Sequence, residues 1–79
     1  MDRTEIMSRV TEQMRDVFDE PELVATDETS ADDVADWDST NHVRLIVAIE
    51  EDFGIRFETD EVTAPENVGE LVDLIAAKV

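Results

Sequence analysis

A chain of 79 residues with 22 acidic and 6 basic side chains has a formal charge of −16 and room for one small core. Its negative field repels nucleic acids and anionic membranes, and without cysteine it offers no disulfide and no thiolate ligand. Because so short a chain seldom builds a deep, water-excluding cleft, composition favours a carrier or binding module over an enzyme, with basic protein surfaces as partners.

Residues 3–18 place Ile6, Val10, Met14, Val17 and Phe18 at spacings of three and four, which predicts an amphipathic first helix. Asp2 or Thr4 can cap it, Met7 and Met14 read as core, and Glu5 with Arg9 forms a favourably oriented i, i+4 pair. A long connection over residues 19–38 follows, containing Pro21 and many Asp, Glu, Ser and Thr residues, with Leu23, Val24, Val34 and Trp37 as anchors. Within it, Ser30 and Asp33 predict a single helical turn at residues 31–34, and Trp37 reads as a packing anchor whose indole N–H needs an acceptor.

Asp38 and Ser39 are helix-starting residue types ahead of a long apolar run, so the next helix is predicted from Ser39 to Phe53. Leu45, Ile46, Ile49 and Phe53 form its core arc, with His42 inside the same angular range. Thr40, Val43 and Val47 form a second arc nearly opposite, which either packs under the long loop or docks a partner. Gly54 is expected to stop this helix in a left-handed conformation, with Ile55 and Phe57 folding inward. A short turn is predicted at Thr59 to Val62 and a break at Pro65. Asn67 and Glu70 have capping-box spacing ahead of a final helix that presents Val68, Leu71, Val72, Ile75 and Val79 on one face; Gly69 permits close approach, and Lys78 suits the terminal dipole. The elements add up to an all-α fold, a three-to-four-helix up-and-down bundle with a long first loop. No segment approaches the ~20 apolar residues of a bilayer span and no basic-then-apolar leader opens the chain, so it reads as soluble and intracellular.

Read from its position alone, Ser39 is an exposed cap or first-turn residue. A helix N-terminus welcomes negative charge, so a phosphate ester on Ser39 is well tolerated there. His42, the only histidine, has no second base or metal set beside it, and a Ser39–His42 nucleophile pair lacks an orienting third group. A calcium loop starting at Asp36 fails, because Asn41 stands where glycine is required and Val47 where glutamate is.

Asp38-Ser39 followed by Val43, Leu45, Ile46, Ile49, Glu50, Glu51 and Phe53 at this spacing, between two further amphipathic helices, resembles the acyl carrier protein family over nearly the whole chain. The resemblance implies a single carrier domain over residues 1–79, with 4′-phosphopantetheine joined to Ser39 beside Asp38. The thiol of that group would hold acyl or related carboxylic-acid intermediates as thioesters in fatty-acid, polyketide or another dedicated biosynthesis. It also implies a cytoplasmic monomer served by a phosphopantetheinyl transferase and by acyl-loading and acyl-processing enzymes with basic docking patches. Thr40, Val43, Arg44, Val47, Glu50 and Glu51 would meet them on the recognition helix. The sequence departs from the family pattern at Thr40, where leucine is usual, and at Arg44, where an acidic residue is common, a departure that bears on acceptance by generic fatty-acid enzymes. Trp37-Asp38-Ser39 looks like carriers dedicated to particular pathways. An aminoacyl or peptidyl carrier of the same fold remains open, as does a small acidic interaction protein that occupies basic enzyme sites and has no need of Ser39.

Sixteen excess negative charges predict self-repulsion in the compact state, so the melting temperature is expected to rise with NaCl as the Debye length shortens. A melting temperature flat from low to high salt would show that self-repulsion is negligible.

Overall fold

In the computed structural model, which describes residues 1–79, each of the three long helices begins on a side-chain cap. Asp2 accepts from the Glu5 N–H ahead of α1 (Arg3–Val17), Asp38 from the Asn41 N–H ahead of α2 (Ser39–Phe53), and Asn67 from the Glu70 N–H ahead of α4 (Val68–Lys78), each at 2.8 Å. Every such bond satisfies one of the donors that a helix start leaves open. The Glu70 carboxylate passes Asn67 and accepts from the Glu66 N–H at 3.0 Å, so the expected capping box is only half closed. A 3₁₀ turn (Ala31–Asp33) and a five-residue α3 (Thr59–Thr63) complete the elements; there is no strand, and no helix is long and apolar enough to cross a membrane.

Helix α1 lies between α2 and α4 and packs against both. Ile6, Val10, Met14 and Phe18 meet Leu45, Ile46 and Ile49 from α2 and Val68, Leu71, Val72 and Ile75 from α4, all buried. Each such side chain contributes about 1.5–3 kcal/mol by leaving water. Helix α2 stops at Gly54, whose φ of 67° is the left-handed conformation expected there, and the Ile55 N–H closes onto the Glu50 carbonyl at 3.2 Å. Ile55 and Phe57 pack on the core from the following segment.

Three expectations are corrected. Val24 is 74% exposed and anchors nothing; its neighbour Ala25 is buried instead, because successive side chains of an extended segment point opposite ways. Val79 is also exposed, lying past the last turn of α4 where no bundle remains to cover it. Arg9 does not pair with Glu5. It reaches Asp52 on α2 at 2.9 Å and lies over the Phe53 ring, 4.4 Å from its centroid, so a partly buried partner beside an aromatic face prevails over the exposed one on its own helix.

The long loop is fixed by backbone. Val68 N–H donates to Thr29 O at 2.8 Å and Gly69 N–H to Asp27 O at 3.0 Å, so the open donors of α4 hold the loop. Arg3 spans the same junction through Asp27 (2.9 Å), Asp73 (2.8 Å) and the Gly69 carbonyl (3.2 Å), while Arg15 donates to Leu23 O at 2.7 Å. A Cβ on Gly69 would sit 2.9 Å from the Asp27 carbonyl oxygen, a backbone atom that cannot swing aside. Gly69→Ala is therefore expected to destabilise: overpacking of about 1–3 kcal/mol exceeds the ~1 kcal/mol gained in helix propensity. Urea denaturation checks this, and a stabilised variant would show that the loop does not depend on the close approach.

Candidate functional site

The end of the loop and the start of α2 form a braced frame around Ser39. Asn41 donates its side-chain N–H to Asp36 O at 2.8 Å, and Asp38 is committed to the Asn41 backbone. Ser39 follows as the first residue of α2, exposed, with its hydroxyl bonded to nothing in the chain. The N–H groups of Ser39 and Thr40 likewise have no acceptor within the protein. Beside Ser39 opens a cleft of about 580 Å³, walled by Trp37, His42 and Val43 on one side and by Val62, Thr63 and Pro65 on the other.

Trp37 and His42 hold the walls together. The Trp37 ring packs on Phe18 (centroids 5.5 Å apart) and stacks on His42 (6.1 Å, 21° between planes). Its indole N–H donates to His42 Nδ1 at 3.0 Å, which answers the need for an acceptor. With Nδ1 accepting, the proton belongs on Nε2, which donates to the Val62 carbonyl at 2.6 Å. Both ring nitrogens are thus engaged in tying the loop end to α2 and α2 to α3. The sequence placed His42 in the core arc; a polar ring on that arc must find partners, and that is the signal for this relay.

The second wall is fixed by Glu61 on α3. Its carboxylate accepts from the Glu58 N–H at 2.7 Å and lies 2.9 Å from Lys78 Nζ on α4. The hydrogen bond from Glu58 and then the Lys78 ammonium hold its carboxyl below the ordinary glutamate value. Lys78 also stands over the Phe57 ring, a contact that sequence reasoning, which gave Lys78 only a dipole role, did not find.

Of the residues expected to meet partners, Thr40, Val43, Arg44, Val47 and Glu51 are all exposed on α2. Val43 is 55% and Val47 47% exposed, so neither lies under the long loop. Glu50 is placed differently. Its side chain is 14% exposed, accepts from the Phe57 N–H at 2.8 Å and lies 3.7 Å from Arg56, because the chain doubles back after Gly54 and Phe57 needs an acceptor there. No group of three or more His, Cys, Asp or Glu side chains is arranged to hold a metal ion.

No protein-family model matches the chain. It is 37% identical over 76 residues to an acyl carrier protein of Acidothermus cellulolyticus, covering 96% of this chain and 90% of that one. The chain belongs to the acyl carrier protein family. An acyl carrier protein of Thermosynechococcus vestitus is 32% identical across 100% of this chain and 98% of its own. The solution structure of a holo acyl carrier protein from Geobacter metallireducens superposes with a TM-score of 0.86 at 41% identity, over 92% of this chain and 84% of that one. The all-α bundle expected from the sequence is thus the acyl carrier protein fold, here with a Trp37–His42–Val62 relay beside the start of α2.

A carboxylate whose folded value is lowered contributes stability that is complete above its unfolded value and is lost as pH falls through the folded one. Glu61 therefore contributes to the acid limb of stability. In melting curves taken from neutral pH to below the ordinary glutamate range, Glu61→Gln is expected to lower the melting temperature at neutral pH and to flatten its fall in acid. An unchanged acid limb would show that the Glu58 and Lys78 contacts do not act on stability.

Proposed function

We propose that this chain is a single carrier domain that holds acyl or related carboxylic-acid intermediates on 4′-phosphopantetheine joined to Ser39, and is not itself a catalyst. The observation that carries the reading is the placement of Ser39: an exposed, unbonded hydroxyl on the first turn of α2, next to two N–H groups without acceptors and at the mouth of a cleft. A phosphate ester fits such a position, since the helix start supplies donors and a favourable dipole. Asp38 keeps that start rigid through its bond to Asn41, and Val43, Val62 and Pro65 give a chain attached at Ser39 apolar surface to lie against. The group supplies, when bound, the thiol that holds the carboxylic acid as a thioester. With no cysteine, the chain has no thiol of its own for the purpose.

The relatives named as acyl carrier proteins favour acyl over aminoacyl cargo. Thr40 in place of leucine and the Trp37-Asp38-Ser39 form support service in a dedicated pathway rather than in general fatty-acid synthesis. A phosphopantetheinyl transferase and acyl-loading and acyl-processing enzymes with basic patches are the partners that a charge of −16 suits, in the cytoplasm and with the carrier as a monomer. Their docking face is the exposed one on α2: Thr40, Val43, Arg44, Val47 and Glu51, without Glu50.

Incubation with coenzyme A and a broad-specificity phosphopantetheinyl transferase is expected to add one phosphopantetheine by intact mass, and Ser39→Ala to gain nothing. Since Asp38 carries the cap, the alanine variant is expected to stay within about 0.5 kcal/mol of the parent. A folded parent that gains no mass, or modification that persists in Ser39→Ala, would overturn the assignment.

A further inference from the structure

Five of the six basic residues are already occupied inside the molecule. Arg3 is bonded to Asp27 and Asp73, Arg9 to Asp52, Arg15 to the Leu23 carbonyl and Lys78 to Glu61, all within 3.0 Å, and Arg56 lies 3.7 Å from Glu50. The Arg44 guanidinium has no hydrogen bond and no ion pair within the chain, and it is exposed. The residues three and four positions away on α2 are Thr40, Asn41, Val47 and Ala48, so no carboxylate can reach it from the adjacent turns, although 22 of the 79 residues are acidic. Nor is it placed to serve Ser39: five positions apart, the two side chains leave the helix about 140° apart. Arg44 projects instead beside Val43 and Val47, the exposed apolar stripe.

We infer that Arg44 is a specificity-determining residue whose guanidinium engages a carboxylate on a dedicated acyl-loading enzyme, set within an otherwise basic docking patch. This rests on the carrier reading and names the partner chemistry of its docking face. The charge of −16 draws a basic surface to the protein, but a uniformly basic surface would bring a like charge against Arg44 at contact distance. A partner with an acid at that one point turns the repulsion into a two-pronged bond, whereas an enzyme shaped for a carrier with an acid there presents a cation and is disfavoured. Long-range attraction is thus shared with any basic enzyme, and discrimination is local. A second copy of this chain is a poor occupant, since its own charge opposes association.

The test uses the phosphopantetheine-loaded protein with the purified acyl-loading enzymes of its source organism and one general fatty-acid acyl-loading enzyme as reference. Arg44→Glu and Arg44→Gln are expected to lower kcat/KM roughly tenfold or more with at least one source enzyme, mainly through KM, and Arg44→Lys to retain part of the activity. The reference enzyme should be unaffected by Arg44→Glu or improved. Reversing the facing acid on the source enzyme to lysine should restore Arg44→Glu. Circular dichroism controls for folding, and sedimentation for self-association. The inference is overturned if every source enzyme stays within about twofold, if source and reference enzymes fall alike, or if Arg44→Glu abolishes a dimer of the carrier. Val43→Asp separates the failures: if it too is harmless with every enzyme, the docking face is wrong, whereas if it alone is harmful, only the role of Arg44 falls. A parent that takes no phosphopantetheine fails earlier, at the mass measurement, and removes the carrier reading itself.

Discussion

Two backbone hydrogen bonds, Val68 N–H to Thr29 O and Gly69 N–H to Asp27 O, determine where the rest of the molecule can go. A helix start always leaves donors open, and a long loop always leaves acceptors open; here each deficit meets the other. The exchange needs a helix with no side chain at the contact, which is why Gly69 stands in the first turn of α4 despite its poor helix propensity. Once the loop is held at Asp27 and Thr29, the 3₁₀ turn, Val34 and Trp37 follow in a path that ends at Asp38, and α2 begins where that path delivers it.

The few cations are placed as fasteners. Arg3 joins α1, the loop and α4; Arg9 joins α1 to the end of α2; Arg15 holds the loop near Leu23; and Lys78 joins α4 to α3. Each crosses between elements that would otherwise touch only through the core or not at all. Exposed pairs of this kind contribute little individually, but in a chain with so much like charge they also remove repulsion at the seams. That allocation sharpens the contrast with Arg44, which fastens nothing.

Periodicity made the helices and most of the core legible, because Ile6, Val10 and Met14 or Leu71, Val72 and Ile75 repeat at the spacing that burial requires. The start of α2 was legible for a chemical reason: Asp38 is a cap type and Ser39 follows it. Tertiary partners were not. Glu50 has the same local sequence signature as Glu51, yet one turns back to Phe57 and the other faces solvent, a difference set by the path of the chain after Gly54. Arg9 likewise had a plausible partner in Glu5, and only the packing of α1 on α2 brings Asp52 nearer. Val24 shows the limit within the loop, where no period assigns a side.

Trp37 is the only tryptophan, and the chain has no tyrosine. Its indole is bonded to His42, packed against Phe18 and forms part of the wall beside Ser39. Tryptophan emission from this protein therefore comes from a single point, in the wall of the cleft beside Ser39. Whatever enters the cleft, displaces the imidazole or draws α3 away changes the surroundings of the one fluorophore, so the unlabelled molecule carries an optical probe of that cleft.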